Sequence, residues 1–344
     1  MGTATRVPQR SEVEAEEAEL RLRGDSLSGE EAWAALRRYG GWALVRDSFV
    51  RFRFADGFSH SRALALQTVL AILPMAIAVI GLSAVLHTED IGRIAELTIR
   101  RISGPSQEVV DDALRESRRH AGDGGAAALW LGLLFSVANV ITGMCQVERG
   151  ANRIYGVERD RPFLHKYARG LVMAVLTGVP LALSFCVTVL GSDLSRALIE
   201  VYHLGPTTYR AWDVLRWPVG ILLAVIATSA VFRRSPRRVQ PGYIWLAFGA
   251  TVHLLLWLGA TWGLSLYVGS GGSFTAVYGP LSAFMALLLW SYLTSLALFL
   301  GLSFAAQLEA VRAGVAVPIA EDPESPRLPA TRRPNKERDC TDHD

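Results

Sequence analysis

Five residues could do chemistry because they put polar groups, or a helix-breaking ring, inside long apolar runs: Gln67, Pro74, Asn139, Gln146 and His253. Polar side chains at membrane depth usually face the interior of a helix bundle or a wet cavity. A proline inside a helix frees a backbone carbonyl that only protein or water can satisfy there. Together the five could line a polar cavity. Taken singly, each is more often a structural hydrogen-bonding residue than a ligand.

The sequence carries no recognisable catalytic or metal-binding motif. Its seven histidines show no close ligand spacing, and neither a Gly-rich phosphate loop nor a nucleophile elbow is present. Cys145 and Cys186 lie in apolar runs and Cys340 lies near the C-terminus, so no paired cysteine motif can be drawn. We therefore predict that the chain is not an enzyme and that it needs no cofactor and no metal.

The elements that hold the five polar positions are predicted to be membrane-crossing helices. Residues 239–308 contain no Asp, Glu, Lys or Arg. As one helix they would be about 105 Å long, whereas a bilayer core is about 30 Å thick, so they must cross, turn at 269–273 and cross back. With the earlier apolar runs, the pattern predicts an all-α, polytopic membrane protein with six transmembrane helices at about 63–86, 124–147, 170–192, 214–232, 242–268 and 278–306.

Amphipathic helices at the membrane surface are predicted beside these spans. Trp42, Val45, Phe49 and Phe52 recur at helical spacing, which favours an interfacial helix; the alternative is a helix packed on the protein's own loops. Similar patterns predict two short helices within 87–123 and one near 194–201. The predicted organisation is a polar cytoplasmic tail at 1–40, a six-helix membrane domain at 41–312 and a disordered cytoplasmic tail at 313–344.

The positions of the basic residues predict an orientation. Of the 35 Lys and Arg residues, 26 lie before the first predicted span, in the second and fourth loops and in the C-terminal tail. Because Lys and Arg concentrate on the cytoplasmic side, both termini are expected in the cytoplasm. Topology therefore explains the basic second loop, anionic lipid headgroups are the second explanation, and no nucleic-acid partner is expected.

Three motifs carry a resemblance to a known family. They are ALALQT at 63–68 with Leu73 and Pro74, the second-loop residues Asn152, Arg153, Tyr155, Arg161 and Pro162, and the last-span residues Tyr278, Gly279, Trp290, Tyr292 and Gly301. Taken in order over about residues 45–312, they make the chain resemble the BrkB/YihY family of bacterial inner-membrane proteins. The resemblance implies six transmembrane helices in the bacterial plasma membrane with both termini cytoplasmic. The acid that often follows the last-span glycine in this family is absent here, and Ser303 lies nearby.

The function favoured at this point is transport or export of a lipid-like or amphiphilic substrate. The resemblance implies it, since a role in envelope lipid export has been suggested for some family members, and the small and polar helix faces agree. The alternative is a non-transporting, virulence-associated scaffold of the cell envelope. A nuclease, which an old family label names, is disfavoured because no acids or histidines are grouped. Membrane lipids are the expected partners, and the sequence predicts no oligomeric state.

Overall fold

The computed structural model describes residues 29–85, 125–157, 162–185, 187, 206–269 and 273–314. Within these ranges the regular elements are helices: α1 (Gly29–Tyr39), α2 (Gly41–Phe54), α3 (Gly57–Val85), α4 (Gly125–Ile154), α5 (Phe163–Phe185), α6 (Pro206–Arg234), α7 (Tyr243–Gly269), α8 (Ser273–Tyr278) and α9 (Ser282–Arg312). A 3₁₀ turn at Gly279–Leu281 precedes α9. The all-α prediction is confirmed for this part of the chain.

Five of these helices, α4, α5, α6, α7 and α9, are long and apolar enough to cross a membrane. The polytopic membrane prediction is therefore confirmed. The first predicted span forms α3, which has 29 residues but is not one of the five. A sixth crossing stays a prediction.

Two helices extend beyond the predicted spans at one end. The span predicted to end at residue 147 continues as α4 to Ile154, and the one predicted to begin at residue 170 starts as α5 at Phe163. The added turns carry Glu148, Asn152 and Lys166, which are all buried. The length of an apolar run underestimates the length of these helices. A helix continues beyond the apolar layer wherever its polar side chains find partners.

The last span begins later than predicted. Gly279 adopts a φ of +51°, a conformation that suits glycine, and Pro280 follows it in the 3₁₀ turn. The chain therefore changes direction after Tyr278, and α9 begins only at Ser282. At its other end α9 passes the predicted limit of residue 306 and reaches Arg312.

Six helices close a ring. Helix α3 packs on α4, α4 on α5, α5 on α6, α6 on α7 and α7 on α9, which returns to α3. Helix α2 packs on α9 and α3, and α1 packs on α9, α2 and α7. We call the end of the ring that holds Arg51, Tyr155, Arg238 and Glu309 the charged end, and the opposite end the far end.

Packing is tightest at the charged end. Residues 301–310 of α9 are all buried, so this stretch has no face toward lipid or water. Toward the far end, residues 284–290 of the same helix are exposed or half-buried. Since a helix that is buried all round forms the core of its bundle, the C-terminal third of α9 is the core of the charged end.

Aromatic residues mark two levels along the ring. Tyr243, at the start of α7, carries the guanidinium of Arg233 at 4.5 Å from its ring centre. Trp262, near the other end of α7, is 67% exposed. Tyr243 and Trp262 are 19 residues apart along α7. This separation is about 29 Å of helix, close to the thickness of a bilayer core. Exposed Trp and Tyr collect at both membrane interfaces, so this spacing suits a helix that crosses the bilayer.

The interfacial helix predicted from Trp42 to Phe52 is α2. Trp42 is 81% exposed, and Val45 and Phe49 are about half exposed. Its buried side carries Leu44, Asp47, Ser48, Arg51 and Phe52. Phe52, the fourth residue of the apolar pattern, is fully buried. The outer side of α2 is more apolar than its inner side, the reverse of a soluble helix, and this suits contact with lipid.

Several other predictions fall on residues outside the described ranges. They are the amphipathic helices within 87–123 and near 194–201, most of the two predicted tails, and Arg161. Within the predicted polar tail at 1–40, the structure describes α1, which packs against α9. Nη2 of Arg312, at the end of α9, lies 3.4 Å from Oε2 of Glu31 on α1.

Candidate functional site

A buried ion pair joins the segment between α6 and α7 to the end of α9. A guanidinium nitrogen of Arg238 donates to the carboxylate of Glu309, and the two side chains are 2% and 3% exposed. The guanidinium also lies over the ring of Tyr155, at 4.6 Å from the ring centre. A cation over an aromatic face gains energy when water is excluded. Arg238 is therefore held by two partners in a place where a lone charge would be costly.

Arg51 of α2 reaches the same place. Its Nε donates to Oε1 of Gln307 at 2.9 Å, and its Nη1 donates to the carbonyl of Ile154 at 3.3 Å. The carbonyls of the last turn of a helix lack helical partners and carry partial negative charge. Arg51 thus caps α4 while it binds α9.

Two residues of the second-loop motif face this site. Oδ1 of Asn152 accepts the backbone N–H of Arg237 at 2.7 Å. Tyr155 is buried, and its hydroxyl has no hydrogen-bond partner among the described residues. Burial, followed by the negative charge of Glu309, raises the pKa of the Tyr155 phenol well above its ordinary value. The name charged cluster is used below for Arg51, Asn152, Tyr155, Arg238, Gln307 and Glu309.

The rest of the second-loop motif lies elsewhere. Arg153 points outward, with its Nε 3.7 Å from the carboxylate of Asp56, and both side chains are well exposed. Pro162 is exposed and begins α5, where its carbonyl accepts the N–H of Lys166 at 3.0 Å. Arg161 lies outside the described ranges. Neighbours in the motif therefore have different surroundings, as expected where a helix ends and side chains point in different directions.

Gln67 and Pro74 lie where α3 contacts α4. A Cβ placed on Gly143 would be 3.7 Å from the Cβ of Gln67, and one placed on Gly132 would be 3.7 Å from the carbonyl oxygen of Pro74. Nearby, the hydroxyl of Ser136 donates to the carbonyl of Ala71 at 2.9 Å, so α4 supplies one cross-helix bond here. Small residues on α4 allow this close approach.

Asn139 and Gln146 also lie on α4, with different partners. The amide of Asn139 donates to the carbonyl of Phe135 in its own helix at 2.8 Å, which is the structural role weighed above. Nε2 of Gln146 lies 2.8 Å from Nδ1 of His60 on α3. Burial lowers the pKa of the His60 imidazole below its ordinary value.

His253 lies apart from the other four, where α7 crosses α9. A Cβ placed on Gly301 would be 2.7 Å from the Cβ of His253. The imidazole of His253 lies within hydrogen-bonding reach of the backbone of Ala297, and its buried Nδ1 atom has no geometrically well-formed hydrogen bond within the described ranges. In the ring, α9 lies between α7 and α3, so the five candidates form two groups. That they line one wet cavity stays a prediction.

The last-span motif packs α9 against α7. Nε1 of Trp290 donates to Oγ1 of Thr261 at 3.2 Å, and Gly301 touches α7 directly. The ring of Tyr278 lies 4.8 Å from that of Phe274, beside the turn made by Gly279. Tyr292 is half-buried. Trp290 and Gly301 thus hold α9 against α7, and Tyr278 and Gly279 shape the turn between α8 and α9.

Some buried polar atoms of the ring helices have no partner in the part of the chain that the structure describes. Among them are Oε1 of Gln67 on α3, Oγ of Ser229 on α6, Nδ1 of His253 on α7, and on α9 Oγ of Ser291, Oγ1 of Thr294 and Oγ of Ser303. A buried polar atom is costly until it bonds to something, and water or a ligand is what remains. The hydroxyls were missed at the sequence level because Ser and Thr in helices often bond their own backbone.

An apolar groove of about 550 Å³ lies along α4. It is lined by Leu131, Gly132, Leu134, Phe135 and Ala138. The buried side chains of Ser136 and Asn139 belong to the same turns of this helix. The exposed apolar groove and these two buried, hydrogen-bonded polar side chains therefore lie on different sides of the same turns.

The charged members of the cluster are not among the residues predicted from the sequence. Arg238 and Glu309 are the two charged residues that flank the uncharged stretch 239–308, and this position is the signal that could have found them. Arg51 and Gln307 carried no comparable signal. Across the described residues, no three His, Cys, Asp or Glu side chains lie together as metal ligands would.

Comparison with known proteins identifies the family. The family model described as virulence factor BrkB matches residues 48–325. Among similar curated proteins, YfkH of Bacillus subtilis, whose name calls it ribonuclease-like, is 22% identical over 267 residues, which cover 75% of this chain and 92% of YfkH. A UPF0761 membrane protein of Stenotrophomonas maltophilia is 28% identical over 298 residues, covering 81% of this chain and 64% of that protein.

A UPF0761 membrane protein of Xanthomonas axonopodis pv. citri is 27% identical over 292 residues, covering 82% of this chain and 64% of that protein. This chain therefore spans less than two thirds of the length of these two UPF0761 relatives. No solved structure matches the chain. Because the family model covers most of the residues, and the motifs named above fall within it, the chain belongs to the virulence factor BrkB family of membrane proteins.

Proposed function

We propose that this protein transports or exports a lipid-like, amphiphilic substrate across the bacterial plasma membrane. The observation that carries the proposal is the set of buried polar atoms without a partner among the described residues, on α3, α6, α7 and α9. Polar groups inside a membrane domain that serves only as a scaffold are expected to bond to protein. Groups that bind water or a passing polar headgroup are expected to lack protein partners.

An amphiphile also needs an apolar surface for its chains. The groove lined by Leu131, Leu134 and Phe135 offers one on α4, next to the buried side chains of Ser136 and Asn139. The apolar tail of an amphiphile would fit this groove, and its polar head would bind the polar atoms of the ring that have no partner among the described residues. This supports an amphiphile over a small polar solute.

In this proposal the charged end faces the cytoplasm. Its support is the distribution of the basic residues, 26 of 35 of which lie before the first predicted span, in the second and fourth loops or in the C-terminal tail. Helix α3 makes the sixth crossing, which its length of 29 residues and its place in the ring between α4 and α9 support. An even number of crossings puts both termini on one side.

The test is movement of fluorescent lipid analogues in liposomes that contain the purified protein, with and without an imposed proton gradient. The variants are Gln67→Leu and His253→Leu, which remove unpartnered polar atoms, together with Asn139→Leu. The matched control is Thr251→Leu, because Thr251 is exposed on α7 and its hydroxyl bonds the carbonyl of Ala247 in its own helix. All variants are first shown to fold by size-exclusion chromatography and thermal unfolding.

Transport through the ring predicts faster movement than in empty liposomes. Gln67→Leu and His253→Leu should each slow it by about tenfold, since one lost hydrogen bond of about 1.4 kcal/mol has that effect. The Thr251→Leu control should move lipid as the wild type does. If no analogue moves in the presence of folded protein, the scaffold alternative is favoured, and deletion of residues 87–123 or of the tails should then matter more.

A further inference from the structure

The charged cluster extends across the mouth of the ring. In the ring order, α4 and α7 are opposite each other: α5 and α6 lie between them on one side, and α3 and α9 on the other. Yet Asn152 at the end of α4 accepts the N–H of Arg237 at 2.7 Å, and Tyr155 carries the guanidinium of Arg238 at 4.6 Å. Arg238 then pairs with Glu309 on α9. The contacts with Asn152 and Tyr155 connect the segment before α7 to α4 on the opposite side of the ring, whereas Glu309 lies on α9, which is the neighbour of α7 and also packs directly on α4.

The segment 235–242, which joins α6 to α7, provides this bridge. It contains no helix, and it includes Pro236 and Pro241, which cannot donate backbone hydrogen bonds. The contacts that Arg237 and Arg238 make with Asn152, Tyr155 and Glu309 contribute to fixing its position. If the pair with Glu309 broke, the segment would lose a buried, charge-paired contact with α9.

We propose that the Arg238–Glu309 pair is a latch that closes the charged end of the ring, and that the substrate path opens at this end only when the pair breaks. The inference rests on the proposed function and names how access to that same path is controlled. Its second support is the packing of α9, which is buried on all sides at 301–310 and exposed or half-buried at 284–290.

An ion pair suits a latch for a physical reason. In the closed state, low local polarity strengthens the attraction between Arg238 and Glu309. In an open state, water would hydrate both charges and offset much of the lost attraction. Apolar side chains in their place would instead expose apolar surface on opening. A chain with Arg238→Met and Glu309→Leu should therefore stay closed.

The latch is separate from the other bonds at this end. Arg51 joins α2 to Gln307 of α9, and Arg169 of α5 donates to the carbonyl of Arg234 at the end of α6 at 2.8 Å. Neither involves segment 235–242 or crosses from that segment to α4. These bonds hold the surrounding helices while the segment moves.

The test measures thiol accessibility, so it does not depend on lipid movement. In a chain with Cys145→Ser, Cys186→Ser and Cys340→Ser, one cysteine is introduced by Ser303→Cys, about 9 Å of helix before Glu309. Ser303 is fully buried. A membrane-impermeant, charged thiol reagent is added to inverted and to right-side-out vesicles. The variants are Arg238→Gln, the exchange Arg238→Glu with Glu309→Arg, and the apolar pair Arg238→Met with Glu309→Leu.

The latch predicts slow labelling of the introduced cysteine in the otherwise unchanged chain. In Arg238→Gln, labelling should be at least tenfold faster, and only in the vesicles that expose the charged end to the reagent. The exchanged pair and the apolar pair should both restore slow labelling. The matched control is Arg233→Gln, an exposed arginine five residues away, which should not change the rate. An unchanged rate in Arg238→Gln, or an equal increase from both sides, would overturn the latch.

The two proposals fail in distinguishable ways. Labelling that does not respond to Arg238→Gln, in a protein that still moves lipid analogues, removes the latch and leaves transport. Side-specific labelling in a protein that moves no analogue retains a gated cavity and removes the lipid-like substrate.

Discussion

Gly249 of α7 and Gly301 of α9 meet backbone to backbone. A Cβ placed on Gly249 would lie 2.6 Å from the carbonyl oxygen of Gly301, and one placed on Gly301 would lie 2.7 Å from the carbonyl oxygen of Gly249. Helices in membranes approach most closely through such small residues. Because His253 is held at the same crossing, this contact also positions one of the polar groups on which the proposed function depends.

The first prediction concerns that crossing. Gly301→Ala should lower the free energy of unfolding by about 1–3 kcal/mol, because the new methyl group has no room unless the helices separate. Gly263→Ala on α7 is the matched control, since nothing lies within 4 Å of its Cβ position. Alanine favours a helix over glycine, so the control should be unchanged or slightly more stable. Thermal unfolding in detergent measures both, and equal losses would contradict the close contact.

The second prediction concerns the stability of the buried ion pair. Arg238→Gln should destabilise the closed state by about 3–5 kcal/mol, because Glu309 loses Arg238 while it stays buried there; hydration of Glu309 in the open state offsets part of this cost. Replacing both residues, Arg238→Met with Glu309→Leu, should cost much less. Arg153→Gln removes the exposed pair with Asp56 and should cost at most about 1 kcal/mol. Denaturant or thermal unfolding distinguishes these results, and a double variant as unstable as the single one would count against the pair.

The third prediction separates the two parts of Tyr155. Tyr155→Phe should change stability by less than about 0.5 kcal/mol or increase it, because the hydroxyl it removes has no partner among the described residues. Tyr155→Leu removes the aromatic face under Arg238 and should be clearly less stable. The comparison needs only thermal unfolding of the two variants. A large loss in Tyr155→Phe would mean that the hydroxyl binds something essential, such as an ordered water.

The fourth prediction is a pH dependence from His60. Burial lowers the pKa of this imidazole, the arginines 149 and 153 lower it further, and Asp56 acts in the opposite direction. The folded chain therefore keeps His60 neutral at a pH where the unfolded chain already binds a proton, near 6.5. Its contribution to stability is complete above about pH 6.5 and is lost as the pH falls below that value.

His60→Gln should reduce that loss, measured as the change in Tm between about pH 7.5 and pH 5. The control is His165→Gln, at an exposed histidine of α5, which should keep the pH dependence of the wild type. If His60→Gln and the wild type lose the same Tm on acidification, other groups carry the effect.

The spans were predictable because the exclusion of charge from lipid leaves long uncharged runs in the sequence. The stretch 239–308 predicted α7 and most of α9 in this way, whereas α8 and the 3₁₀ turn between them were not predicted. That Arg238 and Glu309, which flank it, form a buried pair was not predictable from hydropathy. It depends on how the hairpin closes and on Tyr155, which comes from a distant part of the chain.

The site was predictable only in part for a similar reason. Asn152 and Tyr155 were named from their motif and lie in the charged cluster, whereas Arg153 between them points outward. Gln67 and His253 were named as polar groups at membrane depth, and both keep an atom without a partner among the described residues. Ser303 was noted only because it lies near the position of a missing acid, since a hydroxyl in a helix usually finds its own backbone.

The central claim is that the protein moves an amphiphile through the membrane. Its most direct test is the rate at which fluorescent phospholipid and glycolipid analogues cross liposomes that contain wild-type protein, His253→Leu or no protein. The account predicts movement with the wild type and a rate about tenfold lower with His253→Leu, the effect of one lost hydrogen bond. Wild-type protein that is folded and inserted, yet moves every analogue no faster than empty liposomes do, would contradict it.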